Sequence, residues 1–134
     1  MVQNASADTD ALEDPHPLQS MLEVLDLDDS AARTTEDIFT GSSQAMPHGR
    51  VYGGQVLAQS IIAASRTVAE GRIPHSMHGY FLRPGNASAG ITFSVDRIHD
   101  GRSFSTRRTQ AFQEGLPIFS MISSFQDDDP GVEH

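Results

Sequence analysis

"GGQVLAQSIIAASRTV", residues 53–68, decides how the rest of the chain must fold. Leu57, Ile61, Ala64 and Val68 recur at helical spacing, and Val56, Ala58, Ile62 and Ala63 spread the apolar surface round most of the circumference. A helix apolar nearly all round has to be covered by several neighbours at once, so the spacing predicts a buried central helix over about 54–68. Two features interrupt it. Gly53 and Gly54 open the run, and Gln55 and Gln59 sit one turn apart inside it. No Asp or Glu occurs between 53 and 68.

Beyond GRIP at 71–74 the period drops from helical to two. HSMHGYFL (75–82), GITFSVDRIH (90–99), SFSTRRTQAFQ (103–113) and PIFSMISSFQ (117–126) each read as a strand. RPGN, DG and EG supply turn chemistry between them, which predicts an antiparallel meander for the last three. Before the helix, DIFTGSS (37–43) reads as a short strand and SQAMPHGR as loop. Leu18, Met21, Leu22 and Leu25 mark a short amphipathic helix brought to an end by Asp28, Asp29 and Ser30. Residues 1–17 are acidic and proline-punctuated, a composition too polar to offset its ordering entropy, and are predicted to be disordered. The organisation is then a tail at 1–17, one domain at 18–126, and the start of an interdomain linker at 127–134. One long helix with a single curved antiparallel sheet to cover it is an α+β hotdog arrangement. A lone hotdog leaves a sheet edge and one side of the helix start uncovered, so a second hotdog domain or another copy is the expected partner.

Composition narrows the function classes. The 134 residues contain no cysteine, which removes disulfides and thiolate metal sites and suits a cytoplasmic setting. No stretch approaches eighteen consecutive apolar residues and the first ten carry no signal-peptide pattern, so the chain reads as soluble, with no membrane partner. The formal charge is −9 and every basic residue is arginine. Such a balance repels phosphate backbones and argues against nucleic acid, so an anionic ligand would have to be met by local arginines.

The glycine pair has a chemical reading. At a buried helix start the first N–H groups lack intrahelical partners and the dipole adds partial positive charge. Glycines at 53 and 54 allow a carbonyl oxygen to approach that backbone, as polarising a thioester carbonyl and holding its oxyanion requires. The alternative is that they only let the helix pack closely on the sheet.

With the strands in place, "VYGGQVLAQSIIAASRTV", "HSMHGYFLRPG", "DGRSFSTRR" and "PIFSMISSFQ", in this order and spacing, resemble the first half of the type II acyl-CoA thioesterases, a double-hotdog family. "LQSMLEVLDL" and "EDIFTG" extend the resemblance to about residue 18, and "PGVEH" resembles the linker between the family's two hotdogs. The resemblance implies hydrolysis of fatty acyl-CoA to free acid and CoA by an activated water. It implies no metal, and no cofactor beyond the CoA that is part of the substrate. It also implies that the water-orienting aspartate, serine or threonine, and glutamine lie in the second hotdog, so the catalytic residues are unknown for this chain. The helix at 53–68 agrees, because Gln55 and Gln59 can neither accept a proton nor attack usefully.

Gly53, Gly54, Gln55 and His78 are the candidates for oxyanion and substrate binding. His75 and His78, three apart on a strand, should face opposite ways and so do not suggest a metal site. Arg102, Arg107 and Arg108, from the arginine-rich half that also holds Arg83 and Arg97, are the candidates for CoA phosphates; the alternative is solvated residues balancing nearby acids. Arg83 reads as structural within FLRPG, and the Met/Phe alternation of 117–126 as core. Two other functions stay open: a non-catalytic acyl-CoA-binding or interface module, and a hydratase or dehydratase on acyl thioesters using a histidine.

Overall fold

The computed structural model describes residues 17–29, 36–44 and 48–128. The disorder predicted for 1–16, the helix stop at Ser30, and the linker from 129 onward lie outside the described residues. Helix α1 spans Pro17–Leu25, beginning one residue inside the predicted tail. It is followed by β1 (Asp28–Asp29), β2 (Asp37–Gly41), the central helix α2 (Gly53–Ser65), β3 (Arg72–Phe81), β4 (Ile91–Asp100), β5 (Phe104–Gln113) and β6 (Leu116–Asp127). The six strands form one antiparallel sheet in the order β1-β2-β4-β5-β6-β3. This is the α+β hotdog, a helix laid across a single sheet.

The meander β4-β5-β6 follows from its turns. Glu114 and Gly115 both have positive φ (52° and 76°), the primed-turn geometry that matches strand twist in a two-residue hairpin. At the other turn the Gly101 N–H donates to the Phe104 carbonyl at 2.7 Å. β3 precedes β4 in sequence yet pairs with β6 at the far edge, so the segment 82–90 crosses over the end of the sheet near the start of α2. Only one side of β3 is paired. Its other edge is open over ten residues and carries exposed Ile73, Met77, Tyr80 and Phe81.

The core is a set of aromatic rows beneath the helix. Phe39, Phe93, Ala111 and Phe119 stand in register across β2, β4, β5 and β6, with the exposed Phe81 of β3 beside Phe119 and the smallest member on the strand that α2 crosses most closely. Large rings on both sides of a small centre leave room for a helix, which in turn must present small groups. It does: Val56, Gln59, Ser60, Ala63 and Ala64 are buried, while Leu57, Ile61 and Ile62 are only partly so. Of the predicted stripe, Ala64 is fully buried, while Leu57, Ile61 and Val68 pack against the core from its flank. The helix also stops at Ser65, three residues short of the sequence reading. Thr67 turns back, donating from N and Oγ1 to the Ala64 carbonyl at 3.0 and 2.7 Å.

Two more expectations shift. In α1 the Leu18, Met21 and Leu22 side chains are exposed, and Val24 with the following Leu27 reaches the interior. Asp28 and Asp29, read as a helix stop, also pair with β2 as a short strand. Phe119, Met121 and Phe125 are buried, so the 117–126 alternation is core, as its pattern suggested.

Candidate functional site at the start of the central helix

The start of α2 is held in place from outside the helix. Val51 N–H donates to the Gly85 carbonyl at 2.9 Å, Ala87 N–H to the Gly49 carbonyl at 2.8 Å, and Arg50 bridges to Asn86. The crossover is clamped in turn by Gln113. Its Nε2 donates to the Asn86 and Ala89 carbonyls, and its Oε1 accepts the Asn86 N–H at 2.7 Å. Sequence reasoning missed Gln113. The signal was present: it follows Thr109 and Ala111 on the inward face of β5, where a polar residue has to find partners.

Tyr52 is the N-cap residue, extended at φ −67° and ψ 128°, and offers no side-chain cap. The first turn contains no acidic residue. Helical bonding begins with Gln55 N–H and Val56 N–H, both donating to the Tyr52 carbonyl at 3.0 and 3.4 Å. Among the described residues no acceptor meets the N–H of Gly53 or Gly54. The positive end of the helix dipole is thus uncompensated at two glycines. A Cβ on Gly54 would lie 2.4 Å from the Tyr52 ring, and one on Gly53 would lie 3.2 Å from the Phe81 ring. The glycines therefore serve close aromatic packing.

Beside Gly53 opens a cavity of about 290 Å³. Val56, Gly85 and Ile118 are its buried floor, Val51, Phe81 and Leu82 its walls, and Arg83 stands at its rim. Arg83 is tethered by one bond from Nη1 to the Pro117 carbonyl at 2.6 Å, the structural role its turn motif suggested. Phe81 and Leu82 are exposed apolar groups lining it, and Tyr52 is exposed at the helix start.

Gln55, a candidate for substrate binding, has both ends of its amide engaged inside the protein. Its Oε1 accepts the Gln44 N–H at 2.8 Å and its Nε2 donates to Gln59 Oε1 at 3.1 Å. Gln59 Nε2 then donates to the Val24 and Ser42 carbonyls, each at 2.8 Å. The two glutamines form a buried amide ladder tying α1 and the end of β2 to the helix. Gln59 is fully buried, and only an amide can both accept from Gln55 and donate to two carbonyls there.

His78 is not brought to the glycines. Its neighbour Gly79 faces the helix, since a Cβ there would strike the Phe119 ring at 2.7 Å, and strand alternation turns His78 outward. On that outer face His78 Nε2 lies 2.9 Å from the Tyr80 hydroxyl. His75 falls at the register break between Pro74 and Ser76, so counting alternate faces across it does not hold. Among the described residues no group of three metal-ligating side chains gathers.

The arginines separate. Arg102 is exposed in the β4-β5 turn, and Arg108 pairs with Asp96 at 3.1 Å on the outer face. Arg107 is buried on the helix side with every one of its five N–H donors engaged. Nε bonds Thr67 Oγ1 at 2.7 Å, Nη1 the His99 and Thr106 carbonyls, and Nη2 the Thr67 carbonyl and Asp100 at 2.9 and 2.7 Å. It pins the chain leaving α2 to the β4-β5 hairpin. Hydrogen bonds from Ser105 and Arg107 hold the Asp100 carboxyl below its ordinary value. A side-chain hydrogen bond to Asp37 raises Arg97.

A helix wrapped by one sheet, with its uncapped glycine start beside an apolar cavity, is a hotdog domain. The chain belongs to the acyl-CoA thioesterase N-terminal domain family, whose model matches residues 42–126. It is 40% identical over 95 residues to human acyl-coenzyme A thioesterase 8, covering 71% of this chain and 30% of that protein. It is 41% identical over 97 residues to acyl-CoA thioesterase 2 of Haemophilus influenzae, covering 72% and 34%. The solved tesB protein of Mycobacterium avium subsp. paratuberculosis superposes with a TM-score of 0.74 at 38% identity, over 84% of this chain and 44% of that one. The chain thus spans about a third of the length of these curated relatives.

Proposed function

We propose that this chain is the half of an acyl-CoA thioesterase that binds the acyl group and polarises its carbonyl, and that a second hotdog domain supplies the residues that orient the attacking water. The carrying observation is the pair of free N–H groups at Gly53 and Gly54 beside an apolar cavity, in a chain of this family. A thioester carbonyl accepting those N–H groups would have its developing negative charge met by fixed donors, an interaction that strengthens toward the tetrahedral intermediate. The substrate is fatty acyl-CoA, whose CoA is no separate cofactor, and the setting is cytoplasmic, as the cysteine-free sequence suits. The second domain, or another copy, docks on the open edge of β3 and the exposed Tyr52, Phe81 and Leu82.

The helix from Gly53 to Ser65 contains no carboxylate, which favours a second reading in which this chain binds and completes an interface without chemistry of its own. The hydratase reading has less support, because His78 faces away from the helix start. The test is thioester hydrolysis by the purified chain alone and fused to the C-terminal hotdog of a relative. Positioned general-base assistance is worth about 10²- to 10⁴-fold, so the fusion should exceed the chain alone by at least that order. Equal rates in the two proteins would place the base within this chain. An inactive fusion that is folded would leave the binding module.

A further inference from the structure

We propose that Gln113 is a positioning residue for the oxyanion site: acting through the crossover, it fixes where the free N–H groups of Gly53 and Gly54 stand. The inference rests on the thioesterase reading and adds to it a residue that does not itself touch substrate. The start of α2 has little of its own to fix it. Tyr52 gives no side-chain cap, the first turn holds no acidic residue, and the first two residues are glycines. What holds it is the preceding segment, 49–51. The Gly49 carbonyl accepts the Ala87 N–H at 2.8 Å, and the Val51 N–H donates to the Gly85 carbonyl at 2.9 Å. The helix start therefore stands where the crossover stands.

The middle of the crossover, in turn, is set by Gln113. This residue is buried and projects from the helix side of β5, the strand that α2 crosses most closely. Its Oε1 accepts the Asn86 N–H at 2.7 Å, and its Nε2 donates to the Asn86 and Ala89 carbonyls at 2.8 and 3.1 Å. One acceptor with two donors on a single side-chain head is a primary amide, since a carboxylate only accepts and an ammonium or guanidinium only donates. Other ties reach the ends of the crossover: Leu82 N–H donates to the Ile118 carbonyl and Ser43 Oγ to the Ala89 carbonyl. Gly85 and Ala87, the two residues bonded to the segment before α2, flank Asn86 directly. The amide thus grips the residue between the two points that carry the helix start. A misplacement of about 1 Å at reacting groups can cost about 100-fold in rate, so loosening this clamp has a chemical consequence beyond stability.

The experiment is infrared difference spectroscopy of octanoyl-CoA, labelled with ¹³C at its carbonyl, bound to the full chain and to Gln113→Met, which keeps the length of the side chain and removes all three hydrogen bonds. The carbonyl band, lowered in the unaltered chain, should lose more than half of that lowering in the variant. Affinity should change by less than about threefold, since the apolar contacts that carry binding do not pass through Gln113. Asp100→Asn, which loosens the far end of α2 through Arg107 and Thr67, controls for lost stability and should leave the band as in the unaltered chain. Where Gln113→Met does not fold, Gln113→Glu takes its place, keeping as a carboxylate the acceptor for the Asn86 N–H and losing both donors. Hydrogen exchange of the unaltered chain tests the linkage without a variant: the amides of Asn86, Ala87 and Val51 should open with one free energy, and separate openings would overturn the proposal. If Gln113→Met binds with the band fully lowered, or if Asp100→Asn loses as much of the lowering, the positioning role falls and the thioesterase reading stands. If the unaltered chain binds octanoyl-CoA without lowering the band, or does not bind it, both fall.

Discussion

Replacing Gln59 by glutamate changes one atom's chemistry and almost no volume, yet it should destabilise the protein in a manner that depends on pH. Gln59 is fully buried, and its Nε2 serves the Val24 and Ser42 carbonyls. A carboxylate would face both carbonyl oxygens with no proton to offer. Folding would force it to take up a proton, and holding a group of ordinary pKa about 4.3 protonated costs about 1.36 kcal/mol for each pH unit above that value. The protonation term is then about 3.7 kcal/mol at pH 7 and about 1 kcal/mol at pH 5. A protonated acid donates once where the amide donates twice, which adds about 1 kcal/mol for the lost bond. Gln59→Glu should therefore cost about 5 kcal/mol at pH 7 and about 2 kcal/mol at pH 5. The sign follows from a folded-state pKa raised above the unfolded one: the variant is best off below about pH 4.3 and loses stability as pH rises. Urea unfolding of both proteins at pH 5, 6 and 7 reads this directly. A difference under 1 kcal/mol, or one that does not grow with pH, would refute the amide ladder as the reason the helix carries glutamine at this position.

Gly79→Ala should destabilise by about 2 kcal/mol in thermal or urea unfolding, because the added Cβ meets two carbons of the buried Phe119 ring at 2.7 and 2.9 Å and overpacks a filled core; a neutral effect would mean that the ring has room to move. Asp100→Asn should lower stability at neutral pH. Because Ser105 and Arg107 depress the folded pKa of Asp100, that difference should be present above the ordinary value of 3.8 and vanish as pH falls through the folded value. A gap that persists undiminished to strongly acid pH would contradict the assignment of Asp100 as the partner of Arg107.

The fold was legible because period is a local property. The change from helical spacing before Val68 to alternation after His75 marked the central helix and the strands, and EG and DG placed the hairpins of the meander. The pairing of β3 with β6 was not legible, since nothing in RPGN distinguishes a hairpin from a crossover. Nor was the deep face of α2. Hydropathy favours Leu57 and Ile61, but the fully buried positions are Gln59, Ser60, Ala63 and Ala64, and which face lies deepest depends on partners distant in sequence. At the site, Gly53 and Gly54 announced themselves by residue type, whereas the role of Gln59 depended on carbonyls at Val24 and Ser42, and that of Arg107 on carbonyls at Thr67 and His99. An arginine that hydrogen-bonds internally with all five donors is indistinguishable by sequence from one that waits for phosphate. His78 illustrates the same limit for strands, where a shift of one residue exchanges the two faces.

The claim that the helix start receives a thioester carbonyl is open to a direct measurement: infrared difference spectra of octanoyl-CoA, labelled with ¹³C at its carbonyl, bound to this chain, with ¹⁵N amide shifts of Gly53 and Gly54 recorded on the same samples. Donation from two N–H groups at the positive end of a helix should lower the carbonyl stretching frequency relative to free ligand, and both glycine amides should move with the same saturation curve. A bound ligand whose carbonyl band stays at its solution frequency, with the two glycine amides unmoved, would contradict the account.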